Sequence, residues 1–256
     1  STRARDIQFP EKTLPAFKTL LLAAYDSNER VRIELERALT GFNDPVVVEW
    51  IRTVGIRFPD KWVRFYSIHA LLQGQGPKAM PDAIVTLEKN YPEIQVYLLD
   101  HLTRPGMSAV LADEGQLAIA ASVLSPRFQS RLWLRAISLL EQTQTPAAVE
   151  QLVRALEPSQ DWPPRTLVSM VHASLGRMKG AGLADRAKDL LGKVKSPAAK
   201  IGALLVLGSS GEAAALATLQ EFLKSEKDPD LRAGAITAIG RHSGGSQALI
   251  DVVVAP

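Results

Sequence analysis

The chain has 256 residues, of which 46% are hydrophobic and 22% charged, the balance of an ordinary globular protein able to bury one large core or several stacked small ones. Its net charge of +3, with a pI near 9.2, is only a weak pointer to acidic partners. The absence of cysteine excludes disulfides, thiolate zinc sites and cysteine nucleophiles, and no apolar run is long enough to span a bilayer.

Residues 1–12 are charged and proline-containing and are expected to form an extended or disordered lead-in. Thr13 to Tyr25 then reads as a first helix, with Leu14, Phe17, Leu20, Leu21 and Ala24 on one face. Its partner runs from Asn28 to about Thr40. The pairing continues with 44–54 and 60–72, 77–89 and 91–102, 113–124 and 126–141, 146–156 and 161–175, 182–194 and 196–207, and 211–223 and 228–239. Ser246 to Val254 begins another unit or caps the last one. The segment from Thr103 to Glu114, with Pro105 and Gly106, reads as an insertion. Every connection carries Gly, Pro, Asn, Asp or Ser, and no stretch sustains strand alternation, so the chain is expected to be all-α.

The stretch from Asp228 to Gly240 gives the pattern in its clearest form. Asp228 suits a helix N-cap, Pro229 the first turn and Gly240 the exit, while Leu231, Ala235, Ala238 and Ile239 share one face. As a template it has a capping residue at zero, an aliphatic at plus three, a basic or amide residue at plus four, and apolar residues at plus seven, ten and eleven. Good matches start at Asn28, Asp60 and Ser196, and poorer ones at Tyr91, Ser125 and Asp161. The seven anchors are separated by 32, 31, 34, 36, 35 and 32 residues, and four of them are followed directly by proline. The misfit is Arg135, at plus ten from Ser125. The plus-four residues Arg32, Arg64, Gln95, Gln129, Arg165, Lys200 and Arg232 are expected to donate to capping oxygens or helix ends and hold the stack in register.

In this spacing and template the chain resembles HEAT-repeat proteins of the short bacterial kind, over nearly its whole length. The ankyrin and tetratricopeptide signatures, whose periods are similar, are missing. The resemblance implies a right-handed α-solenoid of about seven HEAT-like helix pairs, with residues 13–256 as one array trimmed from a longer chain. The chain starts at Ser1 without a signal-peptide pattern. Its location stays open, the cytoplasm slightly ahead of the periplasm.

Such arrays mostly bind other macromolecules, so the resemblance also implies a non-enzymatic interaction or scaffold module holding a protein or peptide in its concave groove, which the second helices would line. Positions plus two, six, nine and thirteen point away from the packed side. In the first four units these are Arg30, Glu34 and Arg37, then Trp62, Tyr66 and His69, then Glu93, Tyr97, Asp100 and Arg104, then Arg127, Arg131 and Leu134. In the last three they turn bland, with Leu167, Met170, Leu205 and Thr237. Aromatics and arginines of this kind anchor interfaces, and mixed charge suits a polypeptide better than a phosphate backbone. The expected partner-binding residues are therefore Arg37, Trp62, Tyr66, His69, Tyr97, Asp100, Arg127 and Arg131.

The alternative is a nucleic-acid-binding protein. HEAT-like folds include alkylpurine DNA glycosylases, whose groove set Trp62, Tyr66, Asp100 and Arg131 could imitate, and phycobilin lyase subunits, yet no family motif matches either residue by residue. The basic run Arg177, Lys179, Arg186, Lys188, Lys193, Lys195 and Lys200 is expected to be a solvated outer face. His69, His101, His172 and His242 lack metal-ligand spacing, and no phosphate loop, dinucleotide fingerprint or nucleophile elbow occurs. No catalytic residue, metal or cofactor is assigned.

Overall fold

A computed structural model describes residues 10–40, 42–102, 114–158 and 163–247; residues 1–9, most of the 103–114 insertion, Asp161 and the segment after Gln247 lie outside these ranges, and residues 10–12, expected in the lead-in, instead begin the first helix. The described residues are all-α and form seven helix pairs without a strand. The helices are α1 (Pro10–Leu21), α2 (Glu29–Leu39), α3 (Pro45–Thr53), α4 (Lys61–Gln75), α5 (Met80–Ile84), α6 (Pro92–Leu102) and α7 (Glu114–Ala121). They continue with α8 (Ser130–Thr143), α9 (Pro146–Arg154), α10 (Arg165–Leu175), α11 (Leu183–Lys193), α12 (Pro197–Ser210), α13 (Ala213–Ser225) and α14 (Pro229–Arg241).

The helix starts follow from capping chemistry. The first N–H groups of a helix have no intrahelical acceptor, and a side-chain oxygen at the N-cap supplies one. Asp60 accepts from Trp62 and Val63 at 2.9 and 3.0 Å, and Asp228 from Asp230 and Leu231 at 2.9 and 3.0 Å. Asn28, Asp44, Thr145 and Ser196 cap α2, α3, α9 and α12 in the same way. Proline follows the cap in four of these, where its missing N–H costs nothing.

Two anchors move. α8 starts at Ser130 with Gln129 as N-cap, four residues after Ser125, and α10 starts at Arg165 with Pro164 as N-cap, three after Asp161. From Gln129 the template positions become Leu132, Ala136, Leu139 and Leu140, all buried, and Arg135 leaves the core. From Pro164 they become Leu167, Val171, Ser174 and Leu175, again all buried. Leu167 is thus a core residue and not part of an outward stripe.

The contacts cluster into two compact units, Ser1–Val110 and Leu111–Pro256. In the first, α1 packs on α2 and α3, α2 on α4, and α5 on α4 and α6. In the second, the first helices α7, α9, α11 and α13 pack in sequence, and so do the second helices α8, α10, α12 and α14, each also on its own partner. Gly208 lies so close to the Ala238 carbonyl that a Cβ there would overlap it, and a Cβ on Gly234 would sit 2.8 Å from Ile201 Cγ1.

In five of the seven pairs a plus-four donor ties the second helix to the end of the first helix or the connection after it; in α10 the corrected register puts Val168, which has no side-chain donor, at this position. Arg232 Nη1 donates to the Leu223 carbonyl at 2.9 Å, Arg32 Nη1 to Asp26 at 2.6 Å, and Gln95 Nε2 to Leu87 at 3.0 Å. Arg64 Nε donates to the Phe58 carbonyl at 2.8 Å, and its Nη1 reaches the Lys89 carbonyl of the next pair at 3.3 Å. In the corrected register the plus-four residue of α8 is Trp133, whose Nε1 donates to the Ser125 carbonyl at 3.3 Å.

His172, on α10, faces α12 and shares a 2.7 Å hydrogen bond between its Nε2 and the Ala198 carbonyl. Burial pushes its pKa below the usual histidine value; the hydrogen bond opposes this and Arg241 adds to it. The native state therefore holds the neutral ring, and below about pH 6.5 the unfolded chain binds more protons.

Gly208→Ala is expected to destabilise the second unit by roughly 1–3 kcal/mol through overpacking against backbone. Gly192→Ala, in α11 with open space around it, should stabilise by about 0.5–1 kcal/mol. Thermal unfolding of both variants checks the pair. Stability should also fall as pH drops from about 7 through the ordinary histidine range, and His172→Gln should flatten that slope in melts recorded from pH 7 to 5.

Candidate functional site

The chemistry-bearing side chains of the first unit gather on α4 and the helices beside it. Helical spacing puts Trp62, Phe65, Tyr66 and His69 on one side of α4, at i, i+3, i+4 and i+7. Trp62 stacks on Tyr66 with ring centroids 6.4 Å apart, and Phe65 meets Tyr66 edge-on at 5.2 Å. From α6, Tyr97 meets Phe65 edge-on at 5.0 Å, and its hydroxyl lies 2.9 Å from His69 Nδ1. His101, one turn further along α6, lies 5.6 Å from the Tyr97 ring.

Exposure grades steeply across this cluster. Tyr66 is 2% exposed and His69 8%, so neither is the open groove residue expected from the stripe, whereas Trp62 keeps 39% of its surface. Tyr97 and Phe65 are half-buried. The cause is that α4 lies between α2, whose Arg32 and Glu36 come near Tyr66, and α6, whose Tyr97 packs on His69. Burial raises the Tyr66 phenol pKa, Glu36 of α2 adding to the rise and Arg32 opposing it.

Charges frame the open edge. Lys61 lies over the Trp62 ring at 5.0 Å and bonds Glu93 of α6 at 2.9 Å, coupling the indole to the neighbouring helix. Arg37, exposed on α2, pairs with Glu34 at 2.5 Å, and Asp100 is exposed on α6. Arg127 and Arg131 belong to the second unit and are both exposed, Arg131 in the first turn of α8 and Arg127 in the turn before it. Two residues outside the expected set prove central, Phe65 and Lys61. Phe65 could have been found from its i+3 spacing to Trp62, but plus five was not a stripe position.

Three of the seven cations of the basic run, Arg177, Arg186 and Lys193, are met by carboxylates, two of these carboxylates from the preceding first and second helices and one from α11 itself. Arg177 is held by Glu141 through two bonds of 2.7 Å, Arg186 by Glu150 and Asp189, and Lys193 by Asp189. Arg177 accordingly draws the Glu141 carboxyl below its usual range. Paired cations of this kind do not form a phosphate track. Among the described residues, no group of three or more histidines and carboxylates is placed to hold a metal ion, and no helix is long and apolar enough to cross a membrane.

No protein-family model matches the chain. No curated protein matches it either. Among solved structures it is similar to human deoxyhypusine hydroxylase in complex with glycerol, at 18% identity and a TM-score of 0.33, over 96% of this chain and 92% of that one. That neighbour is an enzyme, which overturns the expectation of a non-enzymatic scaffold. The likeness is too distant to bring any activity to this chain.

Proposed function

We propose that the chain is a short HEAT-like repeat protein whose first unit recognises a polypeptide segment across the second-helix face of α2, α4 and α6. The observation that carries this reading is Trp62, an indole that stays 39% exposed although Tyr66 and Lys61 hold it in place. A large side chain already fixed loses little freedom on binding, which saves about 0.5–1.5 kcal/mol for each such group. Tyr97 beside it is half-buried, its hydroxyl held by His69, and serves as a second anchor. Arg37, Lys61, Glu93 and Asp100 give the rim both signs of charge, as suits a polypeptide with mixed side chains more than a polyanion. Arg127 and Arg131 are separate contact residues on the second unit. Tyr66 and His69 act from below, positioning Trp62 and Tyr97. Binding of this kind serves a substrate segment and a lasting partner equally.

Peptides selected on the whole chain from a random displayed library provide the test. Trp62→Ala is expected to weaken the selected peptides by about 2 kcal/mol, roughly 30-fold, in titration calorimetry. The Lys193→Ala, Lys195→Ala double variant should bind like the parent. Equal losses from the two would overturn the siting on the first unit. Substituting Tyr66 is a poor test, because its removal opens a cavity in the core.

A further inference from the structure

In the second unit the C-terminal ends of α10, α12 and α14 enclose a depression of about 600 Å³. Arg177 and Lys179 reach it from the turn after α10, Ser209 and Ser210 from the end of α12, and Arg241 and Ser243 from the end of α14. No acidic residue stands among its described lining.

Cations near helix C-termini are favourable in themselves, since the last carbonyls carry partial negative charge. Here the cations exceed that need. Arg177 is taken by its bidentate pair with Glu141. Lys179 and Arg241 make no ion pair among the described residues, and the Arg241 guanidinium lies on Gly176, where any Cβ would overlap it. The segment that carries Lys179 is pinned from two sides. Its own N–H donates to Gln144 Oε1 at 2.5 Å, and the Ser209 hydroxyl donates to the preceding Met178 carbonyl at 2.8 Å. Two cations without an ion pair among the described residues, Lys179 on a pinned turn and Arg241 laid on Gly176 at the end of α14, line one depression and make a preorganised anion site.

The walls narrow the ligand. A volume of about 600 Å³ is larger than an inorganic anion needs and falls in the range of small-molecule sites. The described lining has no aromatic side chain on which a base could stack, but three serines and three glycines. We propose that this depression binds a small phosphorylated polyol, with Lys179 and Arg241 on the phosphate and the serine and glycine walls facing its hydroxyl groups. This site is independent of the polypeptide face of the first unit.

The test is titration of the full chain with inorganic phosphate, glucose 6-phosphate and glucose at constant ionic strength, followed by amide chemical shifts. Saturable shifts over residues 176–179, 208–211 and 241–245 are expected with phosphate, at least tenfold tighter with the sugar phosphate, and none with glucose. Lys179→Ala and Arg241→Gln should each weaken binding tenfold or more. Lys179 is an exposed loop residue, so its variant reports binding even if the Arg241 variant loses packing on Gly176. Shifts that never saturate, or that chloride reproduces, would overturn the site, as would wild-type affinity in Lys179→Ala. A nucleoside monophosphate binding tighter than the sugar phosphate would overturn the ligand class.

Discussion

The close approach of successive second helices is the constraint on which this structure rests. α12 meets α14 where Gly208 faces the Ala238 carbonyl and Ile201 fills the space beside Gly234, and it meets α10 where Gly202 lies under Leu175. Small residues at these points let backbones draw together, so that the larger aliphatics around them close the remaining gaps at the density of a protein interior. Within the second unit no single centre collects the apolar side chains. Each helix is buried by its own partner and by its counterpart in the next pair, and stability accumulates from neighbour to neighbour.

Packing of this kind leaves the pairs free to slide unless something polar sets the register. The plus-four donors do this at the ends of the first helices, where carbonyls lack intrahelical partners. An arginine, a glutamine or an indole N–H serves equally, because the requirement is a donor of sufficient reach. The requirement also explains why Arg32, Arg64 and Arg232 form no binding row: their N–H groups are directed at the protein's own backbone. The recognition surface proposed above uses other positions, on α4 above all.

Helix starts were the most legible feature of the sequence, because an Asp, Asn, Ser or Thr ahead of a proline or an apolar period has one structural use. The same signal misled at Ser125, where Ser-Pro precedes a turn and the helix begins only at Ser130. Arg135 on an apolar position was the warning, and moving the cap to Gln129 removes it. The alternation of first and second helices, and the all-α class, were readable because pair after pair repeats the same period. Burial in the middle of the second helices was not.

The reason lies in the limits of one-helix periodicity. A stripe pointing away from the core exists only for a helix covered on one side, and a helix flanked by neighbours of its own layer is covered on three. From Tyr66 to Leu72 every residue of α4 is buried, and from Gly202 to Gly208 every residue of α12 is. Neither stretch has an outward face, whatever its pattern of polar residues. Periodicity along one helix marks Tyr66 and His69 as open because it carries no information about α2 and α6. What survives at the surface of α4 is its first turn, where the flanking helices no longer cover it. The surface proposed for recognition therefore contracts to Trp62 and the side chains that steady it, and a polar residue deep in such a helix, like His69, is held by a hydrogen bond to a half-buried neighbour, Tyr97.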